Sequence, residues 1–251
     1  MSESYGALVS EHAINQRLNL KMDLPADREP VLAMLDRLRK EHPTLRHFRR
    51  LREELVLESD PGIAPGYWVS LRRNCVRSGA IGPESPATAA AFHRLVLEVA
   101  PYFMTISPIE VDYLEVVFAF DLLATGNHDA IVHDALFGGT PLGRLLEHRG
   151  ASVSDCQPVL GITLDEDRLT EAHFQVKTRT APPVPGGEPD DAPPTPITIQ
   201  LMLRRFGPIG DVADLPKLLK TLLGTGEELV RTRVLPGLLM PIRQAIASNN
   251  A

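Results

Sequence analysis

Cysteine is almost absent: Cys75 and Cys156, far apart in the chain, are the only two among 251 residues. That excludes a disulfide framework and a cysteine-based zinc cluster, and leaves two buried structural thiols as the expectation. Aromatic residues make up 5% of the chain and include one tryptophan, so ring stacking is confined to few places. No apolar run approaches the ~20 residues that a bilayer-spanning helix needs, and the strongest block, residues 116–120, stops at Asp121. The opening Met1-Ser2-Glu3-Ser4-Tyr5-Gly6 has neither the basic nor the apolar stretch of a secretory signal, and a cytoplasmic location is expected. Missing too are a phosphate-loop lysine pattern, a Gly-x-Ser-x-Gly elbow and a His-Glu-x-x-His pair. Gly224-Thr225-Gly226 lacks a third glycine and runs into Glu227-Glu228, where a phosphate would meet like charge. No cofactor is implied and no residue is assigned a catalytic role.

What is present belongs to a folded globular chain, 43% apolar and 23% charged. The net charge of −6 is unevenly laid out. Residues 37–77 carry ten Lys/Arg against five Asp/Glu, whereas residues 107–172 carry three against twelve. A basic region and an acidic region of this kind suit an interaction surface or head-to-tail self-association. Proline is in excess, with 22 residues, and seven of them fall in residues 181–196, which reads as an exposed hairpin loop.

Strict polar–apolar alternation over residues 17–24 predicts a strand with one buried face. Val31, Leu32, Leu35 and Leu38 recur at helical spacing behind Asp27, a candidate cap, and the helix should stop near His42-Pro43. Residues 44–52 read as a second short helical piece, Leu55-Val56-Leu57 as a strand, and residues 67–76 as its partner. Ser85-Pro86 then opens a long helix through Phe92, Val96 and Phe103. The second half repeats the order. Residues 111–123 form a strand, Asn127 caps a helix through Leu136 that resumes after a Gly138-Gly139 break and reaches Leu146, three strands follow at 157–164, 172–180 and 197–206, and a broken helical segment occupies 215–247. The expected fold class is therefore α+β: two related strand-helix-strand-strand-helix units, residues 1–106 and 107–251, with an antiparallel sheet and helices packed mainly on one face. The two units either remain separate or fuse into one domain.

Three functional readings follow. Turned outward, the alternating strands collect Trp68, Arg72, Tyr113, Lys177, Arg179, Gln200 and Arg204, a polar and partly cationic sheet face with two aromatics. Such a face suits an anionic small ligand or a protein partner in a non-enzymatic binding or assembly protein, with a homodimer as one arrangement. The basic residues between Arg46 and Arg77 can add to it, and nucleic acid fits poorly with an acidic chain lacking an RNA-recognition signature. The alternative is a metal-dependent or acid/base enzyme built on His128, Asp129, His133 and Asp134, since Asp129 and His133 share a helix face at i, i+4. The third is a small-molecule carrier with its cavity between sheet and helices. Finally, Ser107-Pro108-Ile109-Glu110-Val111-Asp112-Tyr113-Leu114-Glu115-Val116-Val117, following a long helix and opening the second unit, resembles the layout of a group of sporadically distributed, uncharacterised bacterial proteins of about this length. The resemblance lies in element order and implies no activity and no site residues.

Overall fold

Alternation begins earlier than the sequence suggests: His12, Ile14, Gln16, Leu18 and Leu20 are buried while Ala13, Asn15 and Arg17 are half-buried, and the strand ends at Leu20. A computed structural model describes residues 5–25, 27–146, 148–179 and 193–249, so most of the proline-rich stretch expected as a loop lies outside the described residues. The chain runs β1 (Glu11–Leu20), α1 (Arg28–Glu41), β2 (Leu45–Arg50), β3 (Glu54–Ser59), β4 (Gly66–Arg72), β5 (Cys75–Ile81), α2 (Pro86–Phe103), β6 (Val111–Ala124) and α3 (His128–Phe137). It continues through β7 (Val159–Thr163), β8 (Thr170–Lys177), β9 (Thr195–Phe206), α4 (Leu215–Leu229), a π-helical stretch (Val230–Leu239) and α5 (Met240–Asn249).

All nine strands share one antiparallel sheet in the order β2-β3-β4-β5-β1-β6-β9-β8-β7. Its middle is the long pairing of β1 with β6, in register from Glu11 with Asp121 to Asn19 with Tyr113. The class is α+β, as the patterning indicates, but the first half holds more strands than expected. Residues 45–50, whose Leu45, Phe48 and Leu51 spacing imitates a helix, form edge strand β2, because hydrogen bonding to β3 outweighs a weak local preference. Residues 67–76 are two strands, since Arg73-Asn74 makes a tight turn and folds β4 onto β5. The helix from Asn127 stops at the expected Gly138-Gly139 break, and beyond it residues 143–146 form only a short 3-10 turn.

Local chemistry accounts for the helix starts. Ser85 and Thr88 form a reciprocal capping box with Pro86 next in line, and Asn127 accepts a hydrogen bond from the Ala130 amide. Asp27 stands at the N-cap of α1 without making a side-chain cap bond. The face of the sheet bearing Ile14, Leu18, Val116, Phe118, Leu201 and Leu203 is buried. Against it, Gly226 of α4 lies so close to Phe118 and Leu203 that any side chain there would overlap the phenyl ring.

Under α2 this core holds a polar knot. His93 is fully buried, with Nδ1 2.8 Å from Ser78 Oγ and Nε2 donating to the Ile14 carbonyl at 3.0 Å, while Ser78 Oγ also lies 2.8 Å from Gln16 Oε1. Burial drives the imidazole pKa from 6.5 down to about 4, against the opposing pull of the Ile14 carbonyl. An unfolded chain therefore takes up a proton between pH 6.5 and 4 that the folded one refuses, so stability falls as pH falls through this window. The full effect is about 3 kcal/mol. Urea unfolding at pH 7 and pH 4.5 should register most of this loss in the wild type and a smaller loss in His93→Gln. An equal loss in both would assign the pH dependence to other groups.

Candidate functional site

The ladder registers fix the second face of the sheet residue by residue. One row crosses Trp68, Gly79, Asn15, Val117, Met202 and His173, and the next crosses Ser70, Arg77, Arg17, Glu115, Arg204 and Glu171. Trp68, Arg72, Tyr113, Gln200, Arg204 and Lys177 all belong to this face, while Arg179 is exposed beyond the end of β8, its carbonyl accepting a hydrogen bond from Thr195 Oγ1. They do not form one cluster. β4 and β9 are four strand spacings apart, about 19 Å, and Lys177 sits at the end of β8 remote from Glu171, the partner of Arg204.

Guanidinium groups lie over aromatic rings of the face. Arg204 lies 4.3 Å from the Tyr113 ring centroid and donates from Nε and Nη2 to Glu115 Oε2 at 3.0 and 2.6 Å. Burial pulls the pKa of Arg204 down, but its hydrogen bond and charge contact with Glu115 outweigh this and the net direction is up. Arg17 leans on the same ring at 5.7 Å and donates to Asn19, which in turn donates to Asp112. Arg77 lies 5.2 Å from the Trp68 ring and pairs with Glu54 at 3.3 Å. Glu54, Glu58, Glu115, Asp121 and Glu171 share the face with these cations; Glu54 pairs with Arg77, and Glu115 faces Arg204 directly across β6 and β9.

Free cations gather instead at the sheet's β2 edge. A cleft of about 500 Å³ lies between the start of α1 and the ends of β2, β3 and β4, with Leu24, Val31, Leu55, Leu71 and Met104 in its walls. Arg28, Arg50, Arg52, Arg72 and Arg73 line it, against Glu53 and Glu54. Arg73 is held by Asp23 at 2.8 Å and Arg72 lies 3.8 Å from Glu53. Arg28, Arg50 and Arg52 are exposed and make no ion pair or side-chain hydrogen bond among the described residues. The basic run of residues 46–52 pointed here, but its reading as a helix concealed that it is an edge strand whose outer backbone side is unpaired among the described residues.

The acid and histidine cluster is dispersed by its own hydrogen bonds. His128 is buried, with Nε2 donating to the Ala124 carbonyl at 3.0 Å. Asp129 Oδ1 accepts from the Cys156 amide and from Thr178 Oγ1, both at 2.8 Å, tying α3 to the segments around β7 and β8. His133 lies 3.4 Å from the exposed Asp134 and against the Phe137 ring, and touches no other member of the cluster among the described residues. No group of three or more metal-ligating side chains is assembled among the described residues. Cys75 is buried as expected, whereas Cys156 is half-buried, its thiol pushed up by burial and by Asp129 and Asp155.

Two further hollows border the sheet. One of about 730 Å³ lies by β3, β4 and β5, with Glu11, Glu58, Asp60, Glu84 and Trp68 in its walls. The other, about 600 Å³, is an apolar groove beside β7, lined by Leu160, Ile162, Phe174, Val176 and Leu238, with Arg233 its one charged residue. No helix among the described residues is long and apolar enough to cross a membrane. No protein-family model matches the chain, and no curated protein is similar to it in sequence.

The Trp68 stack depends on a missing side chain. A Cβ on Gly79 would overlap the indole and crowd Asn15 Oδ1, so glycine is what lets the ring lie across β5. Gly79→Ala should displace the ring, red-shift the emission of the chain's only tryptophan and cost about 1–3 kcal/mol of stability. Unchanged emission with unchanged stability would mean that the ring does not rest there.

Proposed function

We propose that the protein is a non-enzymatic binding or assembly protein that engages an anionic partner at the arginine-lined β2 edge of its sheet, beside the polar face. The observation that carries this is the set of free guanidinium groups, Arg28, Arg50 and Arg52, over an apolar floor at an exposed edge strand. An unpaired strand offers backbone donors and acceptors, the apolar walls accept alternate side chains, and the arginines select acidic ones. The partner class is therefore an acidic, partly apolar protein segment in extended conformation. Electrostatic selection suits an acidic ligand even in a protein of net negative charge, because exposed cations act over about a Debye length of 8 Å.

We read the helices as lying on one face of the sheet, which leaves the polar face bare and continuous with the cleft through Arg72. We also infer an internal duplication. Each half starts at a central strand, β1 or β6, passes through a helix and returns inward by consecutive antiparallel strands. The carrier reading has support in the apolar groove beside β7, which would take an apolar cargo between sheet and helices. The metal or acid/base reading draws on His128 and Asp129, which are already engaged in holding α3 in place.

The test uses a fluorescein-labelled peptide of alternating glutamate and valine, followed by anisotropy at low salt. Each exposed charge contact is worth roughly 0.2–1 kcal/mol, and reversal adds repulsion, so Arg50→Glu with Arg52→Glu should weaken binding by about tenfold or more. Lys177→Ala with Arg179→Ala should leave it within about twofold. Loss through the Lys177 and Arg179 pair alone would move the site to the face, and no binding by the wild type would overturn the reading.

A further inference from the structure

We propose that the extended segment received at the β2 edge is β7 of a second copy of this chain, with the acidic residues that follow it, so that sheets join head to tail. This rests on the reading of the β2 edge as a receiver of acidic extended segments, and adds the partner's identity.

Every residue of β7 is exposed, Leu160 at 62% and Val159 at 57%, and none of its five residues carries a charge. Natural edge strands are guarded by charges, prolines, bulges or a covering element, and among the described residues β7 has none of these on it. Its helix-side positions, Leu160 and Ile162, run into the apolar groove beside Phe174 and Leu238. Just past its end stand Asp165, Glu166 and Asp167, all exposed. Asp165 is occupied with the Leu169 and Thr170 amides, whereas Glu166 and Asp167 make no ion pair among the described residues.

Topology limits how two such sheets can meet. With nine strands alternating in direction, the two edge strands, β2 and β7, point the same way. Copies whose polar faces remain on one side then have three joints available: β7 with β7 antiparallel, β2 with β2 antiparallel, or β7 with β2 parallel. The β2 joint sets arginine-rich strands against each other. The β7 joint brings Asp165 and Asp167 of each copy toward Asp155 and its surroundings in the other. Only the parallel β7–β2 joint is complementary, since like ends adjoin: Glu166 and Asp167, which follow β7, meet Arg50 and Arg52 at the end of β2. On the helix side of the seam, Phe48 continues the row of Leu160 and Ile162, because all three occupy helix-side positions in their strands. Such a contact is heterologous and gives chains or rings, not a closed two-fold dimer.

The experiment is sedimentation of the full chain at low salt across a wide concentration range. Wild type should grow beyond a dimer as concentration rises, and salt should reverse it. Two charge-reversed chains, Arg50→Glu/Arg52→Glu and Glu166→Arg/Asp167→Arg, change only exposed side chains, and circular dichroism checks that each is folded. Each alone should associate about tenfold more weakly or worse, and a mixture of the two should associate again, because each supplies the edge the other now needs. A wild type that stays monomeric while the glutamate–valine peptide still binds overturns the self-joining and leaves the binding reading intact. Association that persists in the Arg50→Glu/Arg52→Glu chain, or no recovery on mixing, likewise overturns it. Failure of the wild type to bind the peptide instead overturns the reading on which the proposal rests.

Discussion

The ladder between β1 and β6 is the constraint on which the rest of the molecule depends. It pairs Glu11 with Asp121 at one end and Asn19 with Tyr113 at the other, with a single irregularity at Leu20. Since side chains alternate with period two, this one register decides that Ile14, Leu18, Phe118 and Phe120 enter the core and that Arg17, Asn19, Tyr113 and Glu115 do not. A slip of one residue would carry Arg17 and Glu115 inward, where each charge would need its own compensation. The strands of the two halves then attach outward from this pair, β5 on one side and β9 on the other, and inherit the same division of faces.

On the polar face the register also settles the charge. Glu115 is 6% exposed and is tolerable as an anion because Arg204 reaches it with two nitrogens and Arg17 lies opposite on β1. Truncating Arg204 would leave a nearly buried carboxylate without its donor, which costs far more than the pair is worth as a pair. Counting charges along the chain misses this. Residues 107–172 are strongly acidic as a segment, yet Glu115 and Glu171 lie on either side of Arg204 across three strands. What remains unmatched is what sits at the edges, where register supplies no opposite neighbour.

Much of the architecture was legible because it has one physical cause. Alternation in residues 111–123 and 197–206, and the cap signals at Ser85 and Asn127, act locally, and the structure follows them. The division of side chains between faces was equally legible, since Trp68, Tyr113, Gln200 and Arg204 need only period two to share a side. Pairing was not. Nothing local to residues 45–50 tells an exposed basic helix from an exposed basic strand, because neither buries a face and only β3 decides between them. The carboxylates paired with Arg77 and Arg204 come from strands many residues away, so which cations of the face are paired is not read until register is known. For the same reason the spacing of His128, Asp129, His133 and Asp134 implied more than it holds: Asp129 is claimed by Cys156 and Thr178, residues that helix periodicity cannot see.

The strand that sequence patterning read as a helix, β2, is also the one that gives the sheet its polarity. Without β2 the sheet would end on β3, whose polar-face positions include Glu54 and Glu58, so both edges would be flanked by carboxylates. It would also have an even number of strands, and its two edges would point in opposite directions. Adding β2 changes both properties at once. It covers Glu58 with Arg49 and moves Arg50 and Arg52 to the rim. It also makes the two edges parallel, so that a translated copy, with faces and helices in the same orientation, presents unlike charge at the junction. A basic segment in the first half and an acidic one in the second thus become opposite ends of a single sheet.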